Sequence, residues 1–151
     1  FTASTHDYIM FITNAGKAYW LKVHEIQEAS RTSRGSHIKS LLSVSSDEEI
    51  TAVVSLKEFD DKTYLLMATA GGVVKKVTTD NFANAKTRGI IAIKLDEGDK
   101  LVSAILTGGK DEIMLITRRG QALRTSEEDI RSQGRSSRGV TGIKLDRRAS
   151  D

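Results

Sequence analysis

The chain has 151 residues, 23 Lys and Arg against 20 Asp and Glu, no cysteine and no proline, enough for one ordinary domain or a few stacked repeat units. Without cysteine there is no disulfide, thiolate metal site or thiol nucleophile, and no apolar run approaches the roughly 18 residues a bilayer-spanning helix needs. The net charge of +3 is compatible with nucleic acid but does not by itself select it.

The opening, FTASTHDY, has neither an initiator Met nor a charged-then-apolar leader pattern, as expected of a piece of a longer protein. The run IMFIT at 9–13 follows, branched, apolar and too short for a helix, which predicts a strand buried on both faces. Asn14-Ala15-Gly16 predicts a tight turn, because glycine takes a positive φ without steric cost. KAYWLKV is the expected return strand, and a polar connector leads to Arg34-Gly35 and then to the apolar segment EITAVVSL at 49–56.

The same order then recurs. YLLMATAGGVVKKVTT at 64–79 and EIMLITRRGQALRTSE at 112–127 align with YIMFITNAGKAYWLKV at 8–23 without gaps. Thr13, Thr69 and Thr117 coincide, as do Gly16, Gly72 and Gly120, and then Ile26, Phe82 and Ile130. The pairs Arg34-Gly35, Arg88-Gly89 and Arg138-Gly139 follow, inside SRGSHIKSL, TRGIIAIKLD and SRGVTGIKLD, with Leu41, Leu95 and Leu145 in register. KLVSAILT at 100–107 repeats the closing segment. The expected repeats are 1–56, 57–107 and 108–151, the last lacking its closing strand, within one repeat-domain fragment. Four short strands per unit of about 50 residues predict an all-β, propeller-like array of four-stranded blades, with about three blades present. An open β-solenoid, whose repeats are usually shorter, is the alternative. Helical repeats are excluded by the absence of a 3.6-residue period.

Equal phases of a repeat fall on the same rim, so the phase of the charges matters more than their sum. Cations recur just past the hairpin glycine (Lys22; Lys75 and Lys76; Arg124). They recur again in the connector, at Arg31 and Arg34, at Lys86 and Arg88, and at Arg131, Arg135 and Arg138. Acidic clusters recur elsewhere, before the first and last strands, with Asp80 and Glu127 to Asp129 as departures. Stacked repeats would turn these cations into one basic strip beside acidic zones, suited to a ligand with regularly spaced negative charge. Duplex DNA carries one charge for about every 1.7 Å of axis. Any one of these cations could simply be solvated; only the set in phase points to such a ligand. In the Arg-Gly pairs, glycine is read as a bend and arginine as a cation for phosphate or for a neighbouring blade.

No catalytic centre is legible. His6, His24 and His37 lack ligand spacing, AGGVVKK lacks the phosphate-loop pattern, and the acidic turns lack calcium-loop spacing. No cofactor is expected. Tyr8 and Tyr64 share a phase and are read as structural; Tyr19 and Trp20 are open between core, blade contact and stacking surface.

The ordered segments THDYIMFITNAGKAYWLKVHEIQEASRTSRGSHIKSLL, MATAGGVVKKVTTDNF, RGIIAIKLDEGDKLVSAILT, DEIMLITRRGQALR and RGVTGIKLD cover nearly the whole chain. They closely resemble the C-terminal domain of the bacterial DNA gyrase A subunit. The resemblance implies a β-pinwheel of six blades with exchanged strands, of which this fragment would be about half. It implies sequence-nonspecific wrapping of double-stranded DNA on a basic outer edge, which supports ATP-dependent negative supercoiling by the holoenzyme. Partners would be DNA and the remainder of the gyrase A and B subunits, in the bacterial cytoplasm and nucleoid, with no membrane and no catalysis by this fragment alone. The family's Gln-Arg-Arg-Gly-Gly-x-Gly box does not occur; Arg118-Arg119-Gly120 falls at a hairpin turn, and the box is expected upstream of the region that begins here. The topoisomerase IV C-terminal domain, with a role in selecting DNA substrates, is the nearest alternative. A propeller-type protein-interaction scaffold is the alternative from another class.

Overall fold

A computed structural model describes residues 2–145; the last six positions of the expected third repeat lie outside the described residues. The first repeat supplies strands β1 (Tyr8–Thr13), β2 (Lys17–Lys22) and β3 (Ile50–Leu56). The second supplies β4 (Tyr64–Thr69), β5 (Val73–Thr78), β6 (Ile90–Ile91) and β7 (Leu101–Thr107). The third supplies β8 (Glu112–Ile116), β9 (Ala122–Ser126) and β10 (Val140–Thr141). Among the described residues the helices are single 3-10 turns, and none is long and apolar enough to cross a membrane.

The recurrent threonine and glycine build the hairpins together. Gly16, Gly72 and Gly120 have φ of +76°, +81° and +81°. Each donates its N–H to the carbonyl of the threonine three residues earlier, at 3.0, 3.1 and 3.0 Å. The hydroxyl oxygens of Thr13, Thr69 and Thr117 accept in turn from the N–H groups of Lys17, Val73 and Gln121 at 3.4, 3.2 and 3.3 Å. A short polar side chain next to a tight turn satisfies a backbone donor that the ladder leaves over.

The sheets do not coincide with the repeats. Their strand orders are β3-β1-β2-β6, β10-β5-β4-β7 and β8-β9. The outer strand of the first blade therefore comes from the second repeat (Ala18 opposite Ile90, Lys17 opposite Ile91). That of the second blade comes from the third repeat (Val140 opposite Val74, Thr141 opposite Val73). The exchanged strands implied by the resemblance are present.

The expected third strand, GIIAIKL, is shorter than its apolar character predicts. It pairs for two residues and then leaves the ladder, because its partner β2 begins at Lys17 and offers nothing further. The N–H groups of Ala92 and Ile93 turn to the carbonyl of Gly16 (2.8 and 3.2 Å), and those of Gly142 and Ile143 to that of Gly72 (2.9 and 3.1 Å). In the first repeat the corresponding stretch forms a 3-10 turn, Ile38–Ser40; no preceding blade lies beside it among the described residues.

Alternation along the first strands places the core. Met10 and Ile12 face the second blade and meet Leu65, Met67, Val77, Phe82, Ile93 and Leu101. Ile9 and Phe11 face the other way, against Tyr19, Leu21, Leu42 and Val44. Leu66 and Val74 meet Ile113 and Ile130 between the second and third blades. Burial on both faces explains the unbroken apolar runs of β1 and β4; in β8 only Ile113 is buried, while Met114 and Ile116 are exposed. Trp20 bridges the first two blades: its Nε1 donates to the carbonyl of Phe82 at 2.9 Å, and its ring packs against Tyr8 and Phe59 at centroid distances of 5.0 and 5.3 Å.

Candidate nucleic-acid interface

The connector between the second strand of a repeat and its Arg-Gly pair has little regular structure, so its course is set by what it lies on. In the third repeat it runs along the second blade. Ser132 bridges Lys76 in parallel, Gln133 donates its N–H to the Lys76 carbonyl at 2.9 Å, and the Ser137 carbonyl accepts from the N–H of Lys94 at 3.0 Å. In the second repeat the connector ends against the first blade, where the carbonyl of Thr87 accepts from the N–H of Ser43 at 2.9 Å and Gly89 lies on the ring of Tyr19. Gly139 lies likewise on Val74 and Lys75. In the second and third repeats the Arg-Gly pair is thus where the repeat grips the blade before it. Glycine is needed for the close approach, and arginine is left on the outside.

The predicted cations divide into four groups. Arg31, Arg34, Lys86, Arg88 and Arg131 are exposed. Arg124 and Arg138 are exposed but paired, Arg124 with Glu112 at 2.8 Å and Arg138 with Asp96 of the preceding repeat at 2.5 Å. Lys22 and Arg135 are half-buried; the Lys22 ammonium lies 5.7 Å above the ring of Tyr8 and Arg135 Nη1 lies 3.4 Å from the carbonyl of Ile91. These ion pairs bring acids beside the cations at two points, so the expected separation into basic strip and acidic zones does not hold there.

Lys75 and Lys76 form the fourth group and depart from the expectation: they are 1% and 6% exposed and are not rim cations. The Lys75 ammonium donates to the carbonyls of Ala92 (2.9 Å), Ser137 (2.8 Å) and Arg135. Burial, and next the charge of Arg135, push its pKa down to about 8. The Lys76 ammonium donates to the Glu127 carbonyl at 2.8 Å, lies 3.8 Å from Glu127 Oε1 and stands 4.9 Å above the ring of Tyr64.

Glu127, a departure from the charge pattern in the sequence, is fully buried. Its carboxylate accepts from the Thr107 hydroxyl (2.6 Å) and from the N–H groups of Gly109 (3.0 Å) and Asp111 (3.2 Å). Glu48 is a second buried carboxylate, in the first blade just before β3, bound by Lys17 at 2.6 Å and by the Tyr19 hydroxyl at 3.0 Å. Burial pushes the Glu48 carboxyl up, but the Lys17 ammonium and Tyr19 hydroxyl outweigh it and hold its pKa below the usual range. Burial, and then Glu48, push Tyr19 up to about 12.

Sequence reasoning misses Lys94 and Lys144, exposed and in the same phase of successive repeats. The signal is the shared Ile-Lys-Leu triplet: its isoleucine turns inward, so its lysine must turn out. Lys94 hydrogen-bonds through its backbone to Ser137, which gathers Lys94, Arg135 and Arg138 on adjoining segments of one edge. Among the described residues no group of three or more His, Asp or Glu could hold a metal ion.

Blades that each receive their outer strand from the next repeat, with cations where that strand arrives, define a pinwheel variant of the propeller. The chain matches the family described as "DNA gyrase C-terminal domain, beta-propeller" over residues 7–57, 63–107 and 111–150, and it belongs to that family. It is 68% identical over 137 residues to the DNA gyrase A subunit of Treponema pallidum, an alignment covering 91% of this chain and 17% of that one. The chain thus spans about a sixth of the length of the curated relatives it matches. Among solved structures it is similar to the C-terminal domain of DNA topoisomerase IV (TM-score 0.86, 29% identity, 95% of this chain and 45% of that one). It is also similar to the DNA gyrase A C-terminal domain (TM-score 0.78, 30% identity, 96% and 46%). The two structures share the fold, while the 68% identity is to a gyrase A protein.

Proposed function

We propose that this chain binds duplex DNA without sequence preference along the edge where the connectors cross the blades, and bends it around that edge. The observation that carries the reading is the position of the connectors: each docked Arg-Gly pair leaves an arginine exposed at the outer strand of the preceding blade. Exposed lysines Lys94 and Lys144 lie six residues further on in both repeats. Cations delivered once per blade match a phosphate backbone, and neutralised phosphates release counterions, which makes binding steeply salt-dependent. Bending 20–30 base pairs by 40–90° costs about 1–6 kcal/mol, so the contacts must be spread over several blades.

In the parent protein the bent DNA would feed the strand passage of a type II topoisomerase, with the catalytic groups and the ATPase elsewhere in the gyrase A and B subunits. The setting would be the bacterial cytoplasm and nucleoid. The test is a fluorescently labelled duplex titrated with the chain at two salt concentrations. The R88E/K94E/R138E/K144E variant should lose affinity and show a flatter salt dependence; equal binding at low salt would overturn the interface. Ligation of DNA into circles on the domain then reads whether the bend has a hand.

A further inference from the structure

Two adjacent buried lysines hold a connector that carries three arginines, and the fold alone does not call for them. The site of Lys75 is occupied by Tyr19 in the first repeat and by Leu123 in the third, so a neutral side chain serves there. A buried ammonium is costly unless all its donors are met. Here three donors meet three carbonyls, and two of these, Arg135 and Ser137, belong to the connector of the next repeat. Lys76 holds the other end of that connector, through its side chain to the Glu127 carbonyl and through its own carbonyl to Gln133. With the Arg135 and Ser137 carbonyls turned to the ammonium, Ser136 and Arg138 are left exposed.

We infer that Lys75 is a positioning residue for DNA binding: its ammonium, with Lys76 beside it, fixes the 127–138 connector so that Arg131, Arg135 and Arg138 stand in phase with the cations of the preceding connector. The inference rests on the DNA-binding reading above. The first blade supplies an independent parallel at the position equivalent to Lys76. There Trp20 donates to the Phe82 carbonyl in the 3-10 turn of the next repeat, as Lys76 donates to Glu127 in the corresponding turn. A donor on the second strand that seizes the next connector is thus a repeated device, and the second blade has two of them. Without the anchor, the arginines would keep their charge but lose their common placement, and ordering them on each phosphate would cost conformational entropy.

The experiment compares Lys75→Met, Gln133→Pro and the pair R131Q/R138Q, each as the full chain. Duplex affinity is measured from 50 to 200 mM salt, and amide hydrogen exchange is followed at residues 131–138. Gln133→Pro removes the N–H that binds the Lys76 carbonyl while leaving the core lysines intact, so it decides the matter if Lys75→Met fails to fold. Lys75→Met and Gln133→Pro should each speed exchange across 131–138 about tenfold or more. Each should also lower the salt slope by about two, the loss of roughly two phosphate contacts, although no exposed charge has been removed. If R131Q/R138Q lowers the slope while Lys75→Met and Gln133→Pro leave it unchanged, the positioning role falls and the DNA-binding reading stands. If R131Q/R138Q also leaves the slope unchanged, this connector does not touch DNA and the positioning role falls, while the R88E/K94E/R138E/K144E variant decides the DNA-binding reading.

Discussion

A methyl group on Gly89 would lie 2.3 Å from Cε1 of the Tyr19 ring. Gly89 also has φ of 75° and ψ of 158°, a region open essentially to glycine alone, where another residue costs about 1–3 kcal/mol. Two penalties therefore fall on one substitution. Gly89→Ala should destabilise the chain by at least that strain in urea unfolding. Gly35→Ala, at the same repeat phase but with nothing within 4 Å and no positive φ, should change stability by no more than about 0.5 kcal/mol. Equal losses at the two sites would contradict the close approach as the cause.

Glu127→Ala strands a buried ammonium. Lys76 would keep the backbone carbonyl and lose its carboxylate, while Thr107, Gly109 and Asp111 would lose an acceptor. Breaking one side of such a buried pair costs about 3–5 kcal/mol. Glu127→Gln, which keeps acceptor capacity, should lose less by the same urea titration.

The pH dependence of stability should carry the mark of Lys75. Its pKa is about 8 in the folded chain against an ordinary 10.5. Between these values the unfolded chain holds the proton that the folded chain has released, so stability from this group rises with pH across that window. The penalty is full below the folded value. Comparing the native chain with Lys75→Met from about pH 7 to 10 should show this rise only in the native sequence. Tyr19, pushed to about 12 from an ordinary 10.0, acts in the opposite sense only above that ordinary value.

Glu48 contributes on the acid side. Its depressed pKa means that its contribution is present above the ordinary carboxyl value and is lost as pH falls through the folded one. Glu48→Gln should be less stable at neutral pH and should flatten the acid limb of a thermal-melt series.

If the proposed DNA path is right, Asp96, paired with Arg138 at 2.5 Å, would compete with DNA for it. Exposed pairs are weak and easily exchanged for a phosphate. Asp96→Asn should therefore raise duplex affinity, with a salt slope steeper by up to about one. Weaker binding would place the DNA path elsewhere.

The hairpins are legible in the sequence because they are local: Thr13, Gly16 and their counterparts act within five residues. The exchange of outer strands cannot be read from pattern, since Ala18 and Ile90 are brought together by the stacking of whole repeats. It enters only through the resemblance. Lys75 and Lys76 are misplaced by pattern because two adjacent lysines between valines look like an outer strand. Yet neighbours on a strand point to opposite faces, so the two could never share one rim. Their burial follows from a connector some 50 to 60 residues away that covers them. Lys94 and Lys144 escape notice for the converse reason, lying within a motif attributed to the core.

The borrowed outer strand also sets an order of assembly. As the chain leaves the ribosome, β1 and β2 can form a hairpin at once, but the edge of β2 waits for Ile90, about seventy residues later. At roughly 5–20 residues per second that edge stays unpaired for several seconds. Each blade is thus completed by its successor, and the basic edge is put together one repeat behind synthesis.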